Sequence, residues 1–172
     1  MLFRSVSSPA LAQLGDLAWT LTIAGDDTRH IEEAAALKSA IAASPVADCI
    51  ALRGALSNSA LSELYVSSDA FVMSSHYEGY GMVLSEALAH GLPVVATRAG
   101  AAAETVPDDA ALKVEPGDVA ALAEALRHMI GDAALRHRLA EQSWRAGQRL
   151  PQWQDAARRI ASVVERLTRE RP

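Results

Sequence analysis

The chain has 172 residues, half of them apolar, with 21 Asp and Glu against 16 Lys and Arg and a formal net charge of −5. That length fits one domain or one lobe of a larger enzyme, and the acidic balance argues against a nucleic-acid partner, which calls for a basic face. The single cysteine, Cys49, excludes an intrachain disulfide and a cysteine-based zinc cage and reads as a small core hydrophobe.

No apolar run approaches the ~20 residues needed to span a bilayer. Met1–Val6 is too short and too soon interrupted for a secretory signal, so a cytoplasmic protein without a transmembrane segment is expected. The 35 alanines favour helices and close helix packing. Lysine occurs only at Lys38 and Lys113, so the cationic residues are mainly arginines.

In chain order, Met1–Val6 reads as a short strand and Pro9–Leu14 as a short helix ending at Gly15. Trp19–Ala24 alternates threonine with apolar residues and runs into Gly25-Asp26-Asp27, the pattern of a strand entering a turn. Adjacent acids after a glycine fit a turn and helix cap better than a metal site. A helix is predicted over 28–43, with Ile31, Ala34, Ala35, Leu37, Ala40 and Ile41 as its apolar residues, broken by Ser44-Pro45. Asp48–Leu52 reads as a strand and Arg53-Gly54 as the start of a loop. Ser57 or Ser59 caps a helix carrying Leu61, Leu64 and Tyr65.

Ala70–Met73 is a continuous apolar run of the kind buried on both faces of a sheet. Ser74–Thr97 follows, and the rest of the chain is organised around it. Glu78-Gly79-Tyr80-Gly81 leads into a helical run containing Met82, Val83 and Glu86, then Gly91-Leu92-Pro93, then the apolar strand Val94-Val95-Ala96. Gly79 and Gly81 let a ligand approach the main chain, and a helix starting near Gly81 presents unpaired N–H groups and a positive dipole end, suited to phosphate. Glu86, about a turn in, is placed to accept hydrogen bonds from a ribose diol.

Beyond it, Arg98–Glu104 reads as a small-residue loop with one helical turn, and Ala111–Val114 as a last strand. Asp118 caps a helix carrying Val119, Leu122, Ala123, Leu126 and Ile130 on one face. Helices over 133–147 and 154–169 complete the chain. Strands alternating with helices call for an α/β fold: a Rossmann-like, doubly wound parallel sheet in three α/β/α layers, with extra C-terminal helices and ligand at the carboxyl ends of the strands.

Glu78 and Glu86, with seven residues between them, Gly-Tyr-Gly after the first and Ala-Leu-Ala-His-Gly-Leu-Pro-Val-Val-Ala after the second, closely resemble the retaining GT-B glycosyltransferases that share a Glu-x7-Glu motif. The resemblance runs from about Pro9 to the C-terminus and corresponds to the donor-binding lobe of a two-lobed enzyme. Ala24-Gly25-Asp26 is similar to the family's strand-end Ala-Gly-x. Leu52-Arg53-Gly54-Ala55-Leu56 is similar to the loop that meets the nucleotide base, which makes Arg53 and Leu56 binding candidates. Gly100–Glu104 occupies the place of a Gly-Gly-x-Pro-Glu loop, with alanines where glycine and proline are usual. The resemblance implies that Glu78 contacts the donor sugar as the catalytic residue, that Gly79, Tyr80 and Gly81, with Met82 and Val83 beside them, meet sugar and phosphate, and that Glu86 holds the ribose. It implies a nucleotide-diphosphate sugar as donor substrate, no cofactor, and no metal.

Two of the family's parts are missing from these 172 residues: the acceptor lobe, and the Gly-Arg…Lys-Gly stretch that brings cations to the diphosphate. Arg4 is the only basic residue in its neighbourhood. The resemblance also makes Met1–Val6 the middle strand of the sheet, a place it fills poorly. A separate acceptor lobe, or self-association through this incomplete region, is therefore an expected partner. The isolated chain is expected to be inactive, and the family adds work at the inner membrane surface as a second expectation for location. Two further functions stay open: a non-catalytic nucleotide-sugar-binding module or truncated remnant, and a sugar-nucleotide epimerase of the same architecture.

Several residues carry two readings. His76 either touches ligand or lines a loop, and Tyr80 either stacks or packs. His90 reads as a helix C-terminal residue complementing the dipole rather than a base. Arg98, at a strand's carboxyl end, is a secondary phosphate candidate. Arg136, Arg138, Arg145, Arg149, Arg158 and Arg159 read as solvated helix faces, and Trp144 and Trp153 as packing anchors.

Overall fold

The computed structural model describes residues 7–76, 79, 81–150 and 153–169. Five strands alternate with eight helices: α1 Ser7–Leu11, β1 Leu21–Ala24, α2 Ile31–Ala42, β2 Ile50–Gly54, α3 Asn58–Val66, β3 Phe71–Met73, α4 Met82–Ala89, β4 Val94–Thr97, α5 Ala101–Thr105, β5 Ala111–Val114, α6 Val119–Gly131, α7 Ala133–Gly147 and α8 Trp153–Arg169. All strand pairs are parallel. β1 pairs with β2, Leu21 opposite Ile50, with a bulge after Ile23, and β3, β4 and β5 form a second group with Phe71 opposite Val94 and Val94 opposite Ala111. Leu21 and Thr22 of β1 face Phe71 and Val72 of β3 across a cavity. From that cavity the chain order runs outward both ways, the arrangement of a doubly wound fold at its switch point. The strand expected at Met1–Val6 lies outside the described residues.

β4 organises the layers. All four of its residues are buried, and alternate side chains enter different cores. Val94 and Ala96 join Tyr65, Met73, Leu84, Leu88 and Val106, whereas Val95 joins Leu11, Leu14, Leu122, Leu126, Met129 and Leu139. The three-stranded group thus lies between two helical layers. Local sequence explains the helix starts: Asp118 accepts from the Ala121 N–H at 2.9 Å, and Asp132 from the Leu135 N–H at 2.8 Å. Ser57, rather than Ser59, caps α3 through the Ala60 N–H.

Several expected boundaries shift. Residues 47–49 form a 3-10 turn, so β2 starts at Ile50, and its Ala51, Leu52 and Arg53 are exposed, as on an edge strand. Phe71 and Val72 of β3 are only half-buried, because they border the cavity. Residues 101–105 form the short helix α5 where a loop with one helical turn was expected. α2 contributes no buried residue; Ala34, Leu37 and Ile41 turn inward by halves while Ile31 is 73 % exposed. Arg136 is not a solvated face. It donates to the carbonyls of Met129 and Ile130, closing the end of α6 against the start of α7.

Candidate functional site

The stretch from β3 to β4 builds the site. Thr97, at the end of β4, donates its hydroxyl to the Ser75 carbonyl and so ties down the segment that leaves β3. Ser74 beside it is buried. Gly81 is the N-cap of α4 with φ +63°, a left-handed conformation that glycine adopts at no steric cost. Its carbonyl accepts from Leu84 and Ser85, and as a glycine it brings no side chain of its own to the helix start, where backbone N–H groups of the first turn lie. Met82 at that opening is 63 % exposed, Val83 is half-buried, and Gly79 is exposed. Glu78 and Tyr80 lie outside the described residues.

α4 ends in a Schellman motif: Gly91, at φ +69°, donates to the Leu88 carbonyl and Leu92 to that of Ala87. The imidazole of His90, the C-cap, pairs through Nδ1 with the Glu86 carbonyl at 2.8 Å. Because a carbonyl only accepts, Nδ1 carries the proton. His90 therefore acts at the helix end, as its position suggested, and its ring stacks on Tyr65 with centroids 4.8 Å apart.

Glu86 faces α3. Its Oε2 accepts a hydrogen bond from the Tyr65 hydroxyl at 2.9 Å. Tyr65 is buried, its ring held also by Phe71, and burial first and the neighbouring carboxylate second push its phenol well up from the ordinary value. It stays protonated and keeps donating. Sequence reading gave Tyr65 no role beyond its helix; an aromatic three residues before the Ser68-Asp69 turn looks like any core anchor. Its link to Glu86, 21 residues on, needs the fold to bring α3 against α4.

A cavity of about 880 Å³ opens between β1 and β3 and extends to the carboxyl ends of β1 and β2. Arg53, Leu56 and Val83 line it, with Asp26 and Tyr65; Gly79, Gly81, Met82 and Glu86 do not. Tyr65 thus joins the cavity to Glu86. Asp26 accepts from the Thr28 N–H and hydroxyl, and Asp27 pairs with Lys38 at 2.7 Å, so this acidic pair is a turn, as expected, but it does not cap α2, whose N-cap is His30. Arg98 is exposed and makes long contacts with Asp108 and Glu115, at 3.7 and 3.9 Å. His76 is exposed. Trp144 is 52 % exposed, though its ring lies beside Gly91. Among the described residues, no three His, Cys, Asp or Glu side chains converge as metal ligands would, and no helix is long and apolar enough to cross a membrane.

The chain as a whole is similar to known proteins in sequence and in fold. The model of the family Glycosyl transferases group 1 matches residues 1–132. Glycogen synthase from Mycobacterium tuberculosis is 36 % identical over 151 residues, covering 84 % of this chain and 34 % of that enzyme. Sucrose-phosphate synthase from Thermosynechococcus elongatus superposes with a TM-score of 0.85 at 26 % identity, over 96 % of this chain and 42 % of that one. Anabaena HepE, solved in complex with UDP and glucose, superposes with a TM-score of 0.79 at 24 % identity, over 97 % of this chain and 45 % of its own. The chain therefore spans less than half the length of each of these proteins, and its sheet and helices match the GT-B, Rossmann-like fold.

Proposed function

The chain belongs to the group 1 glycosyltransferases, and from that premise we propose that it is the lobe that binds a nucleotide-diphosphate sugar for transfer to an acceptor with retention of configuration. The observation that carries this reading is that one helix, α4, begins behind a glycine N-cap, Gly81, and carries a fixed carboxylate at Glu86. The N–H groups of the first turn receive the diphosphate, favoured by the helix dipole. Glu86 accepts from the ribose hydroxyls. Gly79 and Tyr80 border the sugar, and Glu78 contacts it at the reacting centre. Arg53 and Leu56, on the cavity wall beyond β2, meet the base. HepE, which shares the fold, was solved with UDP and glucose, in keeping with this class of ligand.

In the transfer, the bond between the anomeric carbon and the diphosphate oxygen breaks, the acceptor hydroxyl oxygen bonds to the same face of the sugar, and the hydroxyl proton leaves with the departing diphosphate. Charge that develops on the departing diphosphate is met by the N–H groups of α4, stabilisation of the kind given by oxyanion sites. No metal or cofactor takes part in this reading. The acceptor requires an opposing lobe, because holding it against the anomeric carbon is a large part of the barrier reduction. The 172 residues alone bind donor and do not turn over, since the acceptor lobe and the cations of the Gly-Arg…Lys-Gly stretch, which these residues lack, both act on the transition state. The work is placed in the cytoplasm, with the inner membrane surface as the site for a lipid acceptor.

Titrating UDP and GDP into isotopically labelled protein should shift the amides of residues 79, 81, 82 and 83. Shifts confined to other segments overturn the placement. Radiolabelled UDP- and GDP-sugars with a panel of lipid and sugar acceptors should release no nucleotide above the enzyme-free rate; retained-configuration transfer by this chain alone refutes the need for a second lobe.

A further inference from the structure

We infer that Tyr65 is a positioning residue for the ribose: its hydroxyl occupies one side of the Glu86 carboxylate and turns the remaining acceptor sites toward a vicinal diol. This rests on the proposed role of Glu86 and adds a residue that neither the motif nor its spacing contains. An ionised carboxylate offers about four lone-pair sites on its two oxygens. The Tyr65 hydroxyl takes one of them, on Oε2, at 2.9 Å. Both hydroxyls of a ribose diol can then be accepted without displacing it.

Unanchored, a glutamate on a helix samples several rotamers, and ordering it on ligand binding costs side-chain entropy. Here that ordering is complete beforehand. The anchor is itself fixed: Tyr65 is 7 % exposed, stacked on His90 at 4.8 Å and set against Phe71 at 6.1 Å. His90 returns to the same turn of α4 by bonding the Glu86 carbonyl. Glu86 is thereby held from two directions, its carboxylate by the phenol and its backbone by the imidazole that the phenol ring covers. Glu86 remains partly exposed, so the arrangement is open on its ligand side.

The test is calorimetric titration of the 172-residue chain with UDP, GDP and ADP and with their 2′,3′-dideoxy counterparts. Tyr65→Phe keeps the ring and its stacking, and an unchanged melting profile certifies the variant. It should weaken the best-bound ribonucleotide roughly 3- to 10-fold, the scale of one ordinary hydrogen bond, and leave the dideoxy compound's affinity in place. In a Glu86→Gln background the same change should have no further effect. Equal weakening of both nucleotides, or none, overturns the positioning role, because packing alone does not distinguish a diol from its absence. A wild-type chain that binds ribo- and dideoxynucleotides alike, or binds none, instead overturns the reading of Glu86 on which the inference stands.

Discussion

Gly147 of α7 lies directly against the Leu88–Ala89 backbone of α4: a Cβ added to it would sit 2.7 Å from the Leu88 carbonyl carbon and 2.8 Å from the Ala89 Cα. Both obstacles are main chain, so neither can rotate away. Gly147→Ala should therefore destabilise the protein by about 1–3 kcal/mol, the scale of overpacking, even though alanine is the better helix former by about 1 kcal/mol. Urea denaturation measures it. A variant as stable as wild type, or more so, would show that α7 can slide along α4.

The same two helices are joined by Ser143, fully buried on α7, whose hydroxyl donates to the Leu92 carbonyl at 2.6 Å. Removing it strands that carbonyl just before the Pro93 entry to β4. Ser143→Ala should cost about 1–3 kcal/mol. Its effect should exceed the sum with Gly147→Ala or fall short of it, since both act on one contact; strict additivity would separate them.

Asp118 and Asp132 begin α6 and α7 through cap bonds to Ala121 and Leu135. Each change to alanine should lower stability by about 1 kcal/mol, and each change to asparagine by little. Equal losses for alanine and asparagine would point to the charge and not the cap.

Tyr65 gives stability a dependence on alkaline pH. Its folded pKa is raised above the ordinary 10.0, so above pH 10 the unfolded chain releases this proton while the native chain keeps it. Stability from this group is complete below pH 10 and falls as pH rises further, by at most about 1.4 kcal/mol per unit. In Tyr65→Phe, the fall between pH 10 and 11 should be shallower than in wild type. Parallel curves would mean that the phenol titrates normally in the fold.

Much of this was legible in the sequence, for identifiable reasons. Val94-Val95-Ala96 reads as an apolar strand, and Asp118 and Gly91 announce their helix ends by residue type, whereas Ala70–Met73, read as buried on both faces, leaves Phe71 and Val72 half-buried. Gly81 announces the start of α4 in the same way. What could not be read depends on contacts between elements. The inward face of α2 excludes Ile31 because packing, not periodicity, chooses among its apolar residues. Arg136 resembles its solvated neighbours until α6 and α7 meet at a corner that leaves two carbonyls for it to satisfy. The hydroxyl that anchors Glu86 comes from a helix with no motif of its own, and only the tertiary fold shows it.

The unequal burial of the two strand groups sets an order of opening. β4 exposes nothing, whereas β2 is an edge and α2 contributes no buried side chain. Amide exchange will thus proceed by local fluctuation around β2 and α2, and in β4 only when the whole molecule unfolds. α4 begins and ends on the protected side, locked to α7 by Gly147 and Ser143. The wall beyond β2, proposed to meet the base, is therefore the yielding part of the protein, and α4, proposed to meet phosphate and ribose, is the part that keeps its shape while the other adjusts.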